Sequence, residues 1–105
     1  MKRRTPDPRE PEPHDALQVL AQAIAGLREP GQIAAFLQDL CTPAELEAMT
    51  DRWRVVPLLL EGVPYREIHD RTLVSVTTIG RVARTLDHGA GGYAAAIKHG
   101  ADRAG

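Results

Sequence analysis

The sequence predicts an all-α fold for three reasons. Apolar residues recur at helical spacing, helix-start signals separate one apolar stripe from the next, and aromatic residues are scarce. Aromatic residues make up 4 % of the 105 residues, and strands rely on aromatic and β-branched side chains. No segment shows the sustained apolar and polar alternation of a half-buried strand. The hydrophobic fraction of 43 % is sufficient for one core but not for two.

The sequence divides into a tail, one helical domain and a short C-terminal end. Residues 1–14 hold four prolines among charged residues. Such a segment has little apolar surface to bury, so we expect it to be disordered or extended. Residues 15–99 are expected to form the helical domain, and residues 100–105 are expected to fray.

Two short amphipathic helices are predicted in the first half of the domain. Asp15 is the expected N-cap of the first helix, which should end near residues 28–29 because Pro30 and Gly31 break it. The first helix carries an apolar stripe at spacings of three and four, formed by Leu17, Leu20, Ile24 and Leu27. The second helix carries a similar stripe, formed by Ile33, Phe36, Leu37 and Leu40.

A third helix has the clearest start signal in the chain. Thr42 can act as the N-cap, Pro43 suits the first helical position, and Glu45 completes a capping box. Pro57 cannot donate to the carbonyl of residue 53, so we expect a kink or break between residues 56 and 58. The side chains expected to point inward are Leu46, Met49, Trp53 and Val56.

Residues 64–86 have the spacing of a helix–turn–helix. A short helix should run from Tyr65 to about Arg71, and a second should run from Val76 to Leu86 behind a Ser75 N-cap. A last helix is expected over residues 93–99. The apolar positions expected to hold the two helices together are Ile68, Val74, Ile79 and Val82.

Arginine is concentrated around this motif, although the whole chain has a net charge of −1. Residues 52–86 hold six arginines and a net charge of +3, whereas residues 15–51 have a net charge of −5. A basic helix of this size fits the major groove of double-stranded DNA, where arginine suits guanine edges or phosphate. The candidate DNA-binding residues are Arg52, Arg54, Arg66, His69, Ser75, Val76, Thr77, Thr78, Gly80, Arg81 and Arg84.

Three positions depart from the usual pattern of the motif. Leu73 occupies a turn position that is most often glycine, and His69 replaces a small residue, so it should push the helices apart or turn toward DNA. Gly80 has no side chain at a position that usually carries a serine or threonine toward the groove. These departures keep open a protein-interaction module that has lost sequence-specific DNA reading. For the helix–turn–helix spacing itself, the alternative is an ordinary two-helix hairpin in a bundle.

Five segments go beyond a generic helix–turn–helix: LCTPAELEA at 40–48, DRW at 51–53, LLEGVPYREI at 59–68, SVTTI at 75–79 and GAGGY at 89–93. Together they resemble the Trp repressor superfamily, and most closely its YerC/YecD-type members. The resemblance covers about residues 15–98. It implies an all-helical, intertwined homodimer with two helix–turn–helix readers that acts as a transcriptional regulator. Burial of the short apolar stripes by a second chain agrees with a dimer, whereas a monomeric bundle is the alternative.

The resemblance also indicates where an effector would bind. Thr42, Arg52, Arg81 and Thr85 match positions around the tryptophan corepressor. Val82 stands where the true repressor has glycine, against which the indole ring packs. Because a pocket filled by its own side chain cannot hold a ligand of indole size, tryptophan binding is not expected. Another small-molecule effector remains open.

Other activities find little support in the sequence. One cysteine, Cys41, cannot form an internal disulfide or a zinc site alone, and the four histidines lack metal-ligand spacing. The glycines at 89–92 follow a helix and do not form a phosphate loop. We therefore expect no enzyme activity, cofactor or metal. With neither a secretory signal nor an apolar run long enough to span a membrane, a cytoplasmic protein is expected.

Overall fold

The computed structural model describes residues 7–10 and 12–104, and within them six helices and no strand. Residues 1–6 and 11 of the tail expected over 1–14 lie outside the described residues, and its last two residues are in α1 instead. The all-α fold class is confirmed. The helices are α1 (Pro13–Ala25), α2 (Pro30–Leu40), α3 (Pro43–Leu60), α4 (Tyr65–Thr72), α5 (Val76–His88) and α6 (Gly92–Ala104).

The chain forms two compact units, and the first, which ends at Thr42, contains α1 and α2. Helix α1 begins at Pro13 rather than after an Asp15 cap. Helix α2 begins at Pro30 itself, which therefore opens a helix rather than only ending one. The reason is the same for both helices: proline is well tolerated at the first helical position, where its missing N–H has no helical partner to lose.

The apolar stripes of α1 and α2 are only partly covered within one chain. Neither helix contributes a buried residue. Leu17 is 66 % exposed, whereas Leu20 and Ile24 are half-buried. Exposed apolar side chains that recur along one helix are a feature of protein interfaces.

The second unit begins at Pro43 with α3, as the start signal predicts. Of the kink or break predicted at Pro57, the break is wrong, because α3 continues through it to Leu60. Pro57 lies in the last turn, and its carbonyl accepts the N–H of Glu61 at 3.1 Å. The adjoining Val56 is fully buried. Packing and the bonds beyond Pro57 therefore hold the helix despite the missing N–H.

Only the C-terminal half of α3 carries fully buried side chains. Val56 is buried as predicted, and Leu46 is half-buried. Met49 and Trp53, expected to point inward, are 37 % and 42 % exposed. The reason is that the buried side chains of α3 that meet α4 and α5 are Val55 and Val56, so the earlier turns have less to pack against.

The core of the second unit joins α3, α4 and α5. Its members are at most 4 % exposed, and each such side chain contributes about 1.5–3 kcal/mol on full burial. They are Val55, Val56, Ile68, Val74, Ile79 and Val82. Tyr93 and Ile97 of α6 pack against this cluster. Helix α6 continues to Ala104, beyond the expected end at residue 99, and α5 continues to His88.

Replacing Pro57 by alanine should stabilise the protein. Alanine restores an N–H for the carbonyl of residue 53, and an interior proline costs a helix about 3 kcal/mol. Greater freedom of the unfolded chain offsets about 1 kcal/mol, so we expect a net gain of about 2 kcal/mol in urea denaturation. Pro43→Ala is the matched control, and it should give no gain because Pro43 occupies the first helical position. Equal effects of the two substitutions would contradict this account.

Candidate nucleic-acid interface

Helices α4 and α5 are joined by the turn at residues 73–75 and share one apolar core. The four positions singled out by their spacing, Ile68, Val74, Ile79 and Val82, are all buried. Val74 lies in the turn, Ile68 on α4, and the other two on α5. The turn and both helices are therefore held by the same cluster of side chains that anchors α3.

The turn begins with Leu73 in a left-handed conformation, with φ 65° and ψ 8°. A residue with a Cβ loses about 1–2 kcal/mol in this conformation. The Leu73 N–H donates to the carbonyl of His69 at 2.7 Å, which closes the end of α4. The Leu73 side chain is 81 % exposed, so packing does not compensate for the strain.

Two side chains of α4 supply the hydrogen bonds that the turn backbone needs. The Thr72 hydroxyl donates to the carbonyl of Ile68 at 2.7 Å and accepts the N–H of Val74 at 3.1 Å. Nδ1 of His69 lies 2.8 Å from the carbonyl oxygen of Val74. A carbonyl oxygen only accepts, so the imidazole donates. The half-buried His69 ring is thus bonded within the turn through Nδ1.

Ser75 is the N-cap of α5, as predicted. Its Oγ accepts the N–H of Thr78 at 3.1 Å. The same hydroxyl donates to Oγ1 of Thr78 at 3.0 Å. Because both hydroxyl groups are occupied, the first turn of α5 is firmly closed.

The outer face of α5 consists of Thr77, Arg81, Arg84 and His88, which are separated by four, three and four residues. All four are exposed. At 100° per residue, this spacing places them opposite Ile79 and Val82. The outer face therefore presents two guanidinium groups, a hydroxyl and an imidazole to solvent.

Four of the predicted DNA-contacting arginines have no carboxylate partner among the described residues: Arg52, Arg66, Arg81 and Arg84. Arg54 lies 3.9 Å from Asp51, which is at the edge of ion-pair distance. Arg71 pairs with Glu67 at 3.1 Å. These four guanidinium groups are therefore available to an anionic partner, although α3, α4 and α5 together carry as many acidic as basic side chains.

One predicted residue, Gly80, differs from its expected placement, and one exposed residue of α5 was not predicted. Gly80 is half-buried rather than fully outward, and a Cβ added there would lie 4.0 Å from Cε2 of Tyr65. The glycine thus faces the start of α4. His88 was absent from the predicted set, although it lies seven residues after Arg81 on the same helix face. Its helical spacing from Arg81 was the sequence signal that could have found it.

The candidate effector residues do not share one environment. Val82 is 1 % exposed, and its side chain is part of the core cluster. Arg52, Arg81 and Thr85 are exposed on the second unit, and the Thr85 hydroxyl donates to the carbonyl of Arg81 at 2.9 Å. Thr42 belongs to the first unit.

Neither a membrane-spanning helix nor a metal site was predicted from the sequence. Among the described residues, no helix is both long and apolar enough to cross a lipid bilayer. In the same residues, no three His, Cys, Asp or Glu side chains are grouped as ligands for a metal ion.

Comparison with known proteins identifies the fold and the family. The sequence model of the Trp repressor protein family matches residues 15–100. The chain belongs to the Trp repressor family. Members of this family are DNA-binding regulators and not enzymes, and the resemblance predicted from the sequence is confirmed.

Two relatives support the family assignment. The chain is 35 % identical over 81 residues to the uncharacterized protein YerC of Bacillus subtilis (strain 168), covering 77 % of this chain and 78 % of that protein. It is also similar to the crystal structure of a TrpR-like protein from Eubacterium eligens ATCC 27750. That match has a TM-score of 0.74 and 33 % identity, and it covers 81 % of this chain and 88 % of the other.

Thr72→Val should destabilise the protein by about 1–3 kcal/mol. The substitution keeps the shape of the side chain but leaves the N–H of the buried Val74 without its acceptor. Thr72→Ser retains the hydroxyl, so its effect in urea denaturation should be much smaller. If both variants unfold at the same denaturant concentration, the hydroxyl does not hold the turn.

Proposed function

We propose that this protein is a sequence-specific transcriptional regulator that binds duplex DNA as a homodimer, inserts α5 into the major groove and acts in the cytoplasm. The observation that carries the proposal is the two-sided character of α5. Its inner residues Ile79 and Val82 are buried, while Thr77, Arg81 and Arg84 are exposed opposite them. A helix held in this way can enter a groove without losing its own packing.

The proposed contacts divide by chemistry. Residues at the start of α5 are suited to base edges: arginine to guanine, and small or methyl-bearing side chains to the thymine methyl group. This group comprises Ser75, Val76, Thr77, Thr78, Gly80 and Arg81. Arg52, Arg54, Arg66 and Arg84 are suited to phosphates, which position the protein without reading sequence. Nε2 of His69 is the ring nitrogen left for a DNA contact, because Nδ1 is bonded to Val74.

A second copy of the chain is the proposed cover for the exposed apolar faces. Helices α1 and α2 bury no residue, and Trp53 and Met49 of α3 are exposed. A twofold dimer would bury these faces and place two copies of α5 in successive major grooves, about 34 Å apart.

The position of Val82 supports regulation that does not depend on tryptophan. The family resemblance puts the indole ring of the corepressor against the residue at this position. Here the position holds a valine whose side chain is fully packed in the core. Indole binding would have to displace that packing, so we propose that tryptophan is not the effector. Any other small effector would have to bind without occupying the space that the Val82 side chain fills.

A helical protein-interaction module that has lost DNA reading is the competing function. Leu73, His69 and Gly80 are the residues that favour it. The bond from His69 to Val74 and the approach of Gly80 to Tyr65 give two of them a role inside the motif. Selection of duplexes from a random pool separates the two functions, since only a DNA reader enriches a palindromic site.

Alanine at Arg66 or Arg84 should weaken binding to all DNA sequences alike. Each substitution removes one proposed phosphate contact, so the slope of log affinity against log salt should fall by about one unit. Arg28→Ala is the matched control, because Arg28 is also exposed but lies in the first unit. An unchanged salt slope in both test variants would exclude these phosphate contacts.

Arg81→Ala should lose discrimination at one base pair, by about 1–3 kcal/mol, if Arg81 reads a guanine edge. The measurement compares the affinities of single-base variants of the selected site. Arg84→Ala serves as the control, because it should lower affinity and leave the base preference as it is. A retained preference in Arg81→Ala removes Arg81 from base reading.

Titration calorimetry should detect no tryptophan binding tighter than about 1 mM, because Val82 fills the position that the ring needs. DNA affinity measured with and without tryptophan should be the same. Sub-millimolar binding, or a tryptophan-dependent change in DNA affinity, would defeat the argument from Val82.

A further inference from the structure

Leu73 combines two unfavourable properties at one exposed position. Its backbone is left-handed, a conformation that glycine adopts without strain. Its side chain is more exposed than any other large apolar side chain in the described part of the chain. Glycine would remove both costs, and stability within the chain therefore does not explain the leucine.

Hydrogen bonds on and beside Leu73 hold the backbone of the turn. The N–H of Leu73 is bonded to His69, and the next residue, Val74, is buried and bonded through both its N–H and its carbonyl. Leu73 is therefore presented by a rigid turn rather than by a loose loop. Because the backbone is already held, only the freedom of the leucine side chain itself is lost when it meets a partner.

Leu73 also lies beside the part of α5 that is proposed to enter DNA. Ser75, the N-cap, follows it by two residues, and Val76, the first residue of α5, is 51 % exposed. The two apolar side chains thus flank the capped start of the helix. The unpaired guanidinium groups of Arg66 and Arg81 belong to the same two-helix segment, which favours a polyanionic partner over an apolar protein surface.

Resting on the proposed function, we infer that Leu73 is a specificity-determining residue that, together with Val76, contacts thymine methyl groups in the major groove. The C5-methyl of thymine is the apolar feature that this groove displays. Burying one methyl group against an aliphatic side chain corresponds to about a fourfold gain in affinity. The contact would explain why the free protein keeps a strained backbone and an exposed side chain at Leu73.

The experiment uses the full chain and a duplex that it selects from a random pool. Each thymine of that duplex is replaced in turn by deoxyuridine, which lacks only the C5-methyl. Wild-type protein should lose about fourfold in affinity at one or two positions. Leu73→Ala and Leu73→Gly should bind the thymine duplex more weakly by a similar factor and show no further loss with deoxyuridine at a position that Leu73 contacts. Leu73→Met, which keeps an apolar side chain, should retain most of the thymine dependence.

Thermal unfolding supplies a second readout that separates the contact from damage to the fold. Leu73→Gly should unfold at a temperature roughly 4 °C above that of Leu73→Ala, because only glycine is free of left-handed strain. A variant that is more stable and yet less discriminating fits the inference.

Unchanged thymine dependence in Leu73→Ala overturns the inference and leaves the proposed function intact, because the wild-type chain still binds its selected site. Failure of the wild-type chain to select any duplex overturns the proposed function, and the role of Leu73 with it.

Discussion

The burial of one face of α5 is the constraint on which the rest of the structure depends. Ile79 and Val82 pack with Ile68 of α4 and with Val55 and Val56 of α3 in a single cluster. A helix that commits one side to such a core presents the opposite side to solvent. The arginines on the outer face of α5 are therefore exposed to solvent because the apolar residues on its inner face are packed in the core. The same packing of Val82 is the basis of the proposal that tryptophan is not the effector.

The turn between α4 and α5 shows how side chains can hold an unfavourable backbone conformation. Leucine in the left-handed region costs about 1–2 kcal/mol. Bonds from Thr72 and His69 to the backbone of Val74 offset that cost, because each supplies a partner to a polar group beside the core. His69 looked unfavourable in the sequence because it is large. In the structure its size lets the ring reach across the turn.

Local signals in the sequence were sufficient for much of this architecture. Thr42–Pro43 and Ser75 marked two helix starts correctly, because capping depends on neighbouring residues only. The spacing of Ile68, Val74, Ile79 and Val82 was enough to predict the buried face of the candidate interface.

Other features depend on packing that no local pattern contains. Proline occurs at both the starts and the ends of helices. Pro30 was therefore interpreted as the end of the first helix, whereas it is the first residue of α2. Pro57 was expected to interrupt α3, but burial of the neighbouring valines and the bonds beyond it keep the helix continuous. Met49 and Trp53 have the spacing of core residues, yet they stay 37 % and 42 % exposed, and Trp53 contacts the rim of the core through Tyr93, with ring centroids 6.3 Å apart. The bond from His69 to Val74 required the three-dimensional path of the turn.

Protection of DNA bases from dimethyl sulfate tests the entry of α5 into the major groove most directly. The reagent methylates guanine N7 in the major groove and adenine N3 in the minor groove. The account predicts protection at N7 in two patches about 10 base pairs apart, one for each copy of α5. Protection confined to adenine N3, or a single patch for the bound protein, would contradict it.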